Sequence, residues 1–226
     1  VRLPQYSSVS VQSGTLTASG YGGSGSSSSG MVAFLSNGTV TINGSISASG
    51  KGYRGGARTY SRTQTGQRGE SYNGSNSRST TANYSGGGGG HSPSLTHASG
   101  GGGGYAGSGG GGTAVGGWGN TPGAAGASVG GSNLSELYFG GAGGSGSLDS
   151  DAGGGSYGGA GGAGGGLVFF SSAGLSGNGS ITSNGSNGEN GYYSDGAASP
   201  GGGGGGAGGS IYLVTQSNTS SLSLAA

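Results

Sequence analysis

The chain contains no cysteine, and only 6% of its 226 residues are charged. Without cysteine it can form neither a disulfide nor a cysteine-ligated metal site. The strong hydrophobic residues are too sparse for a large side-chain core, and no apolar run approaches the roughly 20 residues that a membrane span needs. The net charge of +1 gives no general attraction to nucleic acid or to membrane surfaces. We therefore expect neither a nucleic-acid partner nor a membrane span.

Glycine is abundant instead, with 67 residues, many of them in unbroken runs at 86–90, 100–104, 109–112 and 201–206. Such runs bury no side chains and lose the most backbone entropy on folding. If they are ordered, each N–H and C=O group must pair with a neighbouring segment, and the missing Cβ atoms would allow a close approach of the backbones. Collagen packs its chains on glycine in this way. The sequence therefore predicts packed polyglycine segments.

A short phrase of alternating polar and apolar residues occurs three times, at 13–20, 43–50 and 178–185. Each copy is followed by an apolar phrase, and these phrases lie at 31–35, 167–170 and 211–214. Repeats of this kind are typical of stacked architectures, so we predict one glycine-rich repeat domain over 1–226. Its predicted parts are an arm at 1–12, units at about 9–36, 37–172 and 173–216, an insertion at 51–165 and a tail at 217–226.

The local patterns favour strands over helices. Apolar and polar residues alternate from Thr39 to Ala48, which indicates a strand with one buried face. The runs 31–35 and 167–170 do not alternate, which suits strands that are covered on both faces. Glycine and β-branched residues disfavour helix throughout. We therefore predict an all-β fold, either a β-solenoid or a layered β-sandwich, with packed polyglycine II-like segments and no substantial helix.

Two resemblances rest on particular phrases. The phrase 178–185 (NGSITSNG) and the phrase 201–213, a glycine run ending in Ser-Ile-Tyr-Leu, resemble the glycine-rich repeat regions of bacterial cell-surface and secreted proteins. The aromatic interruptions at Tyr105 and Trp118 resemble, more weakly, the polyglycine-sandwich tip adhesins of tailed phages. That resemblance implies a lattice of left-handed polyglycine helices that carries receptor-binding loops and performs no catalysis. The chain also begins at Val1, as after removal of a leader, and we expect an extracellular or cell-surface location.

Charge is unevenly placed along the sequence. Six of the seven basic residues lie within 51–78, interleaved with tyrosines, and most acidic residues lie in the later half. Complementary charge of this kind favours head-to-tail assembly. The same segment is also a candidate binding insertion, and a third interpretation is a loop whose charges only keep the protein soluble. The candidate binding residues are Arg54, Arg58, Tyr60, Arg62 and Trp118.

The two ends of the chain are candidate assembly arms. Val9 and Val11 alternate outward after Pro4, and Leu222 and Leu224 do so near the C-terminus. Either segment could add as a strand to a neighbouring subunit, because an uncapped stack exposes strand edges. The alternative is that both ends pack on their own domain.

Candidate modification and catalytic sites are weaker. Five Asn-x-Ser/Thr sequons are possible glycosylation sites, at Asn37, Asn73, Asn83, Asn133 and Asn218. Nothing fixes the geometry of a metal site around His91 and His97, and no nucleophile elbow occurs in the sequence. We therefore expect no enzyme activity, no cofactor and no metal.

These observations predict a structural subunit of an extracellular filament or surface layer. Its partners would be copies of itself, joined head to tail through the terminal arms and complementary charge. The alternative function is a receptor-binding adhesin, on a phage tail tip or a bacterial surface. In that case the Arg/Tyr-rich insertion would contact a cell-surface glycan or protein.

Overall fold

The computed structural model describes residues 2–22, 29–93, 96–115, 119–131, 135–150, 152–194 and 200–226. These ranges contain strands, turns and extended segments, and none of them forms a helix that could cross a membrane. The strands are β1 (Gln5–Tyr6), β2 (Val9–Val11), β3 (Thr15–Thr17), β4 (Met31–Ile42), β5 (Ser45–Ser47), β6 (Leu167–Ser176), β7 (Ser180–Thr182), β8 (Ser210–Asn218) and β9 (Ser223–Ala225).

The strands form two sheets in which all pairings are parallel. The first sheet has the order β1-β4-β6-β8, with β2 also paired to β4, and the second has the order β3-β5-β7-β9. Along the chain, β1 with β2, and then each of β4, β6 and β8, is followed by a short strand of the second sheet. We call such a pair a rung, so the four rungs are β1/β2 with β3, β4 with β5, β6 with β7, and β8 with β9. The rungs are stacked in chain order.

Side chains stack in columns because the rungs are in register. Leu16, Ile46, Ile181 and Leu224 form one column across the second sheet. The two inner members are fully buried, whereas Leu16 and Leu224 are 37% and 56% exposed at the two ends. In the first sheet the ring of Phe34 stacks on that of Phe170 at 5.1 Å. These columns form the apolar core, whose buried residues are Val32, Phe34, Val40, Ile42, Ile46, Ala48, Val168, Phe170, Leu175 and Ile181.

Short glycine turns carry the chain from one sheet to the other. Between β6 and β7, Gly177 has a φ of +107°, and a Cβ at this position would lie 2.1 Å from the carbonyl oxygen of Ile42. Only glycine tolerates both the left-handed conformation and so close an approach. The turn therefore fixes the distance between adjacent rungs at this corner.

The connections between parallel strands usually contain a helix, because a crossover must return the chain to the same end of the sheet. Here the crossovers from β5 to β6 and from β7 to β8 are glycine-rich extended segments that pair with one another. We call this assembly the glycine lattice. Its main segments are 52–59, 66–70, 85–91, 98–104, 109–113, 121–127, 140–147, 158–165, 183–191 and 200–207.

Segment 140–147 lies at the centre of the glycine lattice and is buried throughout. Its backbone N–H groups donate in turn to three neighbouring segments, at N···O distances of 2.8–3.2 Å. Residues 140, 143 and 146 donate to segment 158–165, residues 141, 144 and 147 to segment 98–104, and residues 142 and 145 to segment 66–70. A return to the same neighbour after every third residue is the period of the polyproline II helix. Backbone pairing thus takes the place of side-chain packing here.

The predicted fold class, an all-β solenoid or layered β-sandwich, is wrong. Strands account for less than a third of the chain, and they form two parallel sheets of five and four strands with open edges. Most of the remaining chain does not form strand ladders, because successive residues of one segment bond to different neighbours. Sequence periodicity detected the strands, but it did not show how the glycine-rich segments outside both sheets pair with one another.

Candidate functional site

Both sheets end on the same two sides of the molecule. The leading edge consists of β1, β2 and β3, and the trailing edge consists of β8 and β9. In the described part of the chain, no strand pairs with the outer side of either edge. Unpaired strand edges can add a further strand, because their N–H and C=O groups lack backbone partners.

The trailing edge is long and uncharged. Strand β8 spans Ser210–Asn218 and contains neither proline nor a charged residue. Tyr212 and Val214 are 40% and 43% exposed on this strand. The N–H of Ser210 donates inward to Gly166, so that by alternation the N–H of Thr215 points to the open side. A groove of about 760 Å³ lies between β8, β9 and the loop 105–108.

The leading edge has a groove of similar size, about 730 Å³, lined by β1 to β3 and the start of β4. The structure places the predicted arm residues Val9 and Val11 against Val40 and Ile42 of the same chain. At the other end, Leu224 pairs with Ile181. Leu222 packs against the core, so both ends of the chain contribute to the outermost rungs. Their pairing with a neighbouring copy stays a prediction.

A second surface, the tyrosine patch, is defined by Tyr60, Tyr157, Tyr192, Arg58 and Glu189. Tyr157 lies between the other two rings, with centroid distances of 5.8 Å to Tyr60 and 5.5 Å to Tyr192. The guanidinium carbon of Arg58 lies 4.1 Å from the centroid of Tyr157. Tyr60 and Tyr192 are 62% and 50% exposed. Three distant parts of the sequence therefore meet in one aromatic surface.

An ion pair holds the patch together. The Nε of Arg58 donates to Oε2 of Glu189 at 2.7 Å, and its Nη2 donates to the other carboxylate oxygen. Ala160 N also donates to Glu189 at 3.2 Å. The hydrogen bond from Arg58 holds the pKa of Glu189 below its ordinary value, and the same bond raises the pKa of Arg58. Both groups are charged at neutral pH, and their charges cancel within the patch.

The predicted binding residues do not form one site. Arg58 and Tyr60 meet in the tyrosine patch, whereas Arg54 pairs with the buried carboxylate of Glu70 at 2.6 Å. Arg62 donates to the carbonyl oxygen of Ala152. Trp118 lies outside the described residues. Arg54 and Arg58 form ion pairs with acidic residues of their own chain, so their positive charges are neutralised within the subunit.

Three members of the patch were missed in the sequence. Tyr157 directly precedes segment 158–165, and Glu189 and Tyr192 lie in or beside segment 183–191. A signal was present, since glycine recurs at every third position at 185, 188 and 191. A Cβ at any of these three positions would lie 2.1–2.3 Å from a backbone oxygen of segment 200–207. Glycine at every third position therefore indicates a segment of the glycine lattice, and Tyr192 directly follows the last of these glycines.

The predicted glycosylation sites also differ in their surroundings. Asn37, Asn73 and Asn218 are exposed. Asn83 is 4% exposed, and its Nδ2 donates to the carbonyl oxygens of Gly69, Gly74 and Ser75. The structure therefore gives Asn83 a packing role, and its glycosylation stays a prediction. Asn133 lies outside the described residues.

Within the described ranges, no three His, Cys, Asp or Glu side chains come together in a way that could hold a metal ion. His91 is engaged with Thr65, its Nδ1 lying 3.0 Å from Oγ1. No protein-family profile, curated protein or solved structure matches the chain. The two edges and the tyrosine patch are therefore the features from which a function can be argued.

Proposed function

We propose that the protein is a non-enzymatic structural subunit of an extracellular filament or surface layer. Subunits join head to tail, with the trailing edge of one copy against the leading edge of the next. The observation that supports this proposal is that two parallel, in-register sheets are open on the same two sides.

The columns of side chains make the two edges compatible. Leu16 begins the column of the second sheet and Leu224 ends it, and both are exposed. If a second copy stacks as a fifth rung, its Leu16 covers Leu224 of the first, just as Ile181 covers Ile46 inside the subunit. The pairing also satisfies the outward N–H and C=O groups of β8. Each such hydrogen bond contributes about 0.5–1.5 kcal/mol net.

The contact is heterologous, because two different surfaces of the same subunit meet. A heterologous contact that does not close into a ring produces an open polymer. Proteins that remain monomeric usually protect sheet edges with charged residues, proline or bulges. Strand β8 has neither proline nor a charged residue. The edge therefore has the character of a pairing surface.

The proposal is tested by removing one outward backbone donor from β8. Thr215→Pro removes the N–H on the open side and leaves the inward bonds to β6, and proline is tolerated at such positions of an edge strand. Thr215→Val is the matched control, because it loses the same hydroxyl and keeps the N–H. Electron microscopy and sedimentation velocity should show polymers for the wild type and the Val variant, and single subunits for the Pro variant.

A cooperative urea-unfolding transition in each protein would establish that all three remain folded, and the polymers should unfold at a higher midpoint because assembly stabilises the folded state. A wild-type protein that stays monomeric at every concentration would overturn the proposal. Polymers of the Thr215→Pro variant that match the wild type in length and abundance would show that β8 is not the contact.

The alternative function, a receptor-binding adhesin, has support from a different surface. The tyrosine patch is exposed, and it includes two of the residues predicted for that role, Arg58 and Tyr60. Cell binding that is lost on Tyr60→Ala, in a protein that does not polymerise, would favour the adhesin over the filament subunit.

A further inference from the structure

The backbone of the tyrosine patch is fixed before any ligand arrives. Tyr157 and Tyr192 exchange two backbone hydrogen bonds of 2.9 Å, and Thr59 and Gly158 exchange two more of 3.1 and 2.8 Å. Both pairs lie at the ends of segments of the glycine lattice. A ligand that binds such a surface does not have to order it, which lowers the entropic cost of binding.

The rings present flat, half-exposed surfaces to solvent. Tyr157 is the central ring, covered on one side by the guanidinium of Arg58, and it supports Tyr60 and Tyr192 on either side. Tyrosine offers a large contact area at a low cost in side-chain entropy, and its hydroxyl adds a hydrogen-bonding group. The arrangement suits a ligand with a flat apolar face and polar edges.

The polar groups beside the rings are matched to hydroxyl groups. Glu189 offers carboxylate oxygens that accept hydrogen bonds, and Arg58 offers N–H groups that donate them. Their side chains are 35% and 38% exposed, so both can be reached from solvent. Because the two charges cancel, the patch has no preference for an anion such as a nucleic-acid phosphate, whose binding needs uncompensated positive charge.

We infer that the tyrosine patch binds a neutral oligosaccharide, with sugar rings stacked on Tyr60 and Tyr192 and sugar hydroxyls bonded to Arg58 and Glu189. A pyranose ring has the required shape, since its C–H groups form an apolar face and its hydroxyls lie around the rim. This inference rests on the alternative, receptor-binding function and names its ligand class. It does not depend on filament assembly, because the sheet edges form a separate surface.

The test uses the full chain and a panel of immobilised neutral oligosaccharides of glucose, galactose, mannose and N-acetylglucosamine. The best soluble member of the panel is then titrated by calorimetry. We expect the wild type to bind and Tyr192→Ala to lose about tenfold or more in affinity, because one of the two rings on which sugars stack is removed. Tyr192→Phe should retain most of the affinity, because the stacking ring remains.

Tyr84→Ala is the matched control. Tyr84 is 52% exposed and packs against Tyr72 at 5.5 Å, as Tyr60 packs against Tyr157, but it lies outside the patch. This variant should bind like the wild type. Absence of binding to the whole panel, or an equal loss for the Tyr84 and Tyr192 variants, would overturn the inference.

A cell-binding assay separates the inference from the function on which it rests. If the wild type binds cells, Tyr192→Ala does not, and no oligosaccharide of the panel binds, the receptor is not a neutral oligosaccharide. The carbohydrate assignment then fails while receptor binding stands. If neither cells nor oligosaccharides are bound, both fail.

Discussion

A single methyl group should disrupt the glycine lattice at its centre. A Cβ added to Gly144 would lie 2.0 Å from the carbonyl oxygen of Gly88, where ordinary contacts are 3.4–4 Å. The neighbouring backbone must therefore move by more than an ångström, and it is held by hydrogen bonds on other sides. Overpacking of a well-packed core costs about 1–3 kcal/mol and occasionally more. Here the obstacle is backbone, which cannot rotate away as a side chain can.

The magnitude follows from the bonds at risk. Gly144 donates to Gly101 and accepts from Gly204, both at 2.9 Å, and Gly88 donates to Ala124 and accepts from Gly101, both at 2.8 Å. Each bond contributes about 0.5–1.5 kcal/mol net, so losing these four costs roughly 2–6 kcal/mol. We expect Gly144→Ala to lower the free energy of unfolding by about 3 kcal/mol or more, measured by urea unfolding.

The matched control is Gly110→Ala, in a glycine run at the surface. A Cβ at Gly110 would meet nothing within 4 Å, and its φ lies outside the left-handed region. Replacing glycine where alanine fits stabilises a protein by about 0.4–1 kcal/mol, because the unfolded chain loses freedom. If the Gly144 variant yields no folded protein while the Gly110 variant does, the reasoning holds. It is refuted if the two variants unfold within about 0.5 kcal/mol of each other.

Two further predictions concern charge and burial near the sheets. Burial raises the pKa of Tyr53 to about 12, so the folded state keeps this phenol neutral after the unfolded chain, whose tyrosine pKa is about 10, has ionised. Stability should therefore fall between about pH 10 and 12, and Tyr53→Phe should flatten that part of a plot of unfolding midpoint against pH; an unchanged slope would contradict the assignment. Arg54→Ala leaves the carboxylate of Glu70, whose side chain is 3% exposed, without its ion-pair partner. Because the Arg54 side chain is 49% exposed, solvent screens the pair and the loss should be smaller than the roughly 3–5 kcal/mol of a fully buried pair. The variant Arg54→Ala/Glu70→Gln should recover part of that loss in calorimetry, and a further loss would show that the ion pair is not the source.

The sequence predicted the rungs better than it predicted the rest of the molecule. Two inner copies of the repeat phrase, at 43–50 and 178–185, carry Ile46 and Ile181, which the structure pairs directly. The fourth short strand, Ser223–Ala225, was missed, because it lacks the Asn-Gly that directly precedes β5 and β7. Only its neighbour Ile181, far away in sequence, shows that Leu224 completes the column.

The glycine lattice and the tyrosine patch were harder to predict for a physical reason. A run such as 201–206 has no side-chain pattern, so the sequence does not specify which segments surround it. The partners are chosen by backbone hydrogen bonds and by the positions at which a Cβ would clash. The patch then depends on where three such segments end, and the pairing of Arg58 with Glu189 follows from that packing. Charge separation along the sequence suggested contacts between subunits, whereas these two charges meet within one chain.

The position of the patch relative to the sheets connects the two proposed surfaces. Segment 158–165 begins directly after Tyr157 and ends beside Gly166, which precedes β6. At about 3.1 Å per residue, its eight residues separate the patch from the sheets by roughly 25 Å along the chain. Stacking through the sheet edges would leave the far end of each lattice uncovered. A polymer of such subunits would therefore display one tyrosine patch per subunit along its side, and many weak sugar contacts would act together on a surface that carries many glycans. Assembly would then strengthen binding, because a polymer that carries many weakly binding patches holds a glycan-covered surface more tightly than a single patch does.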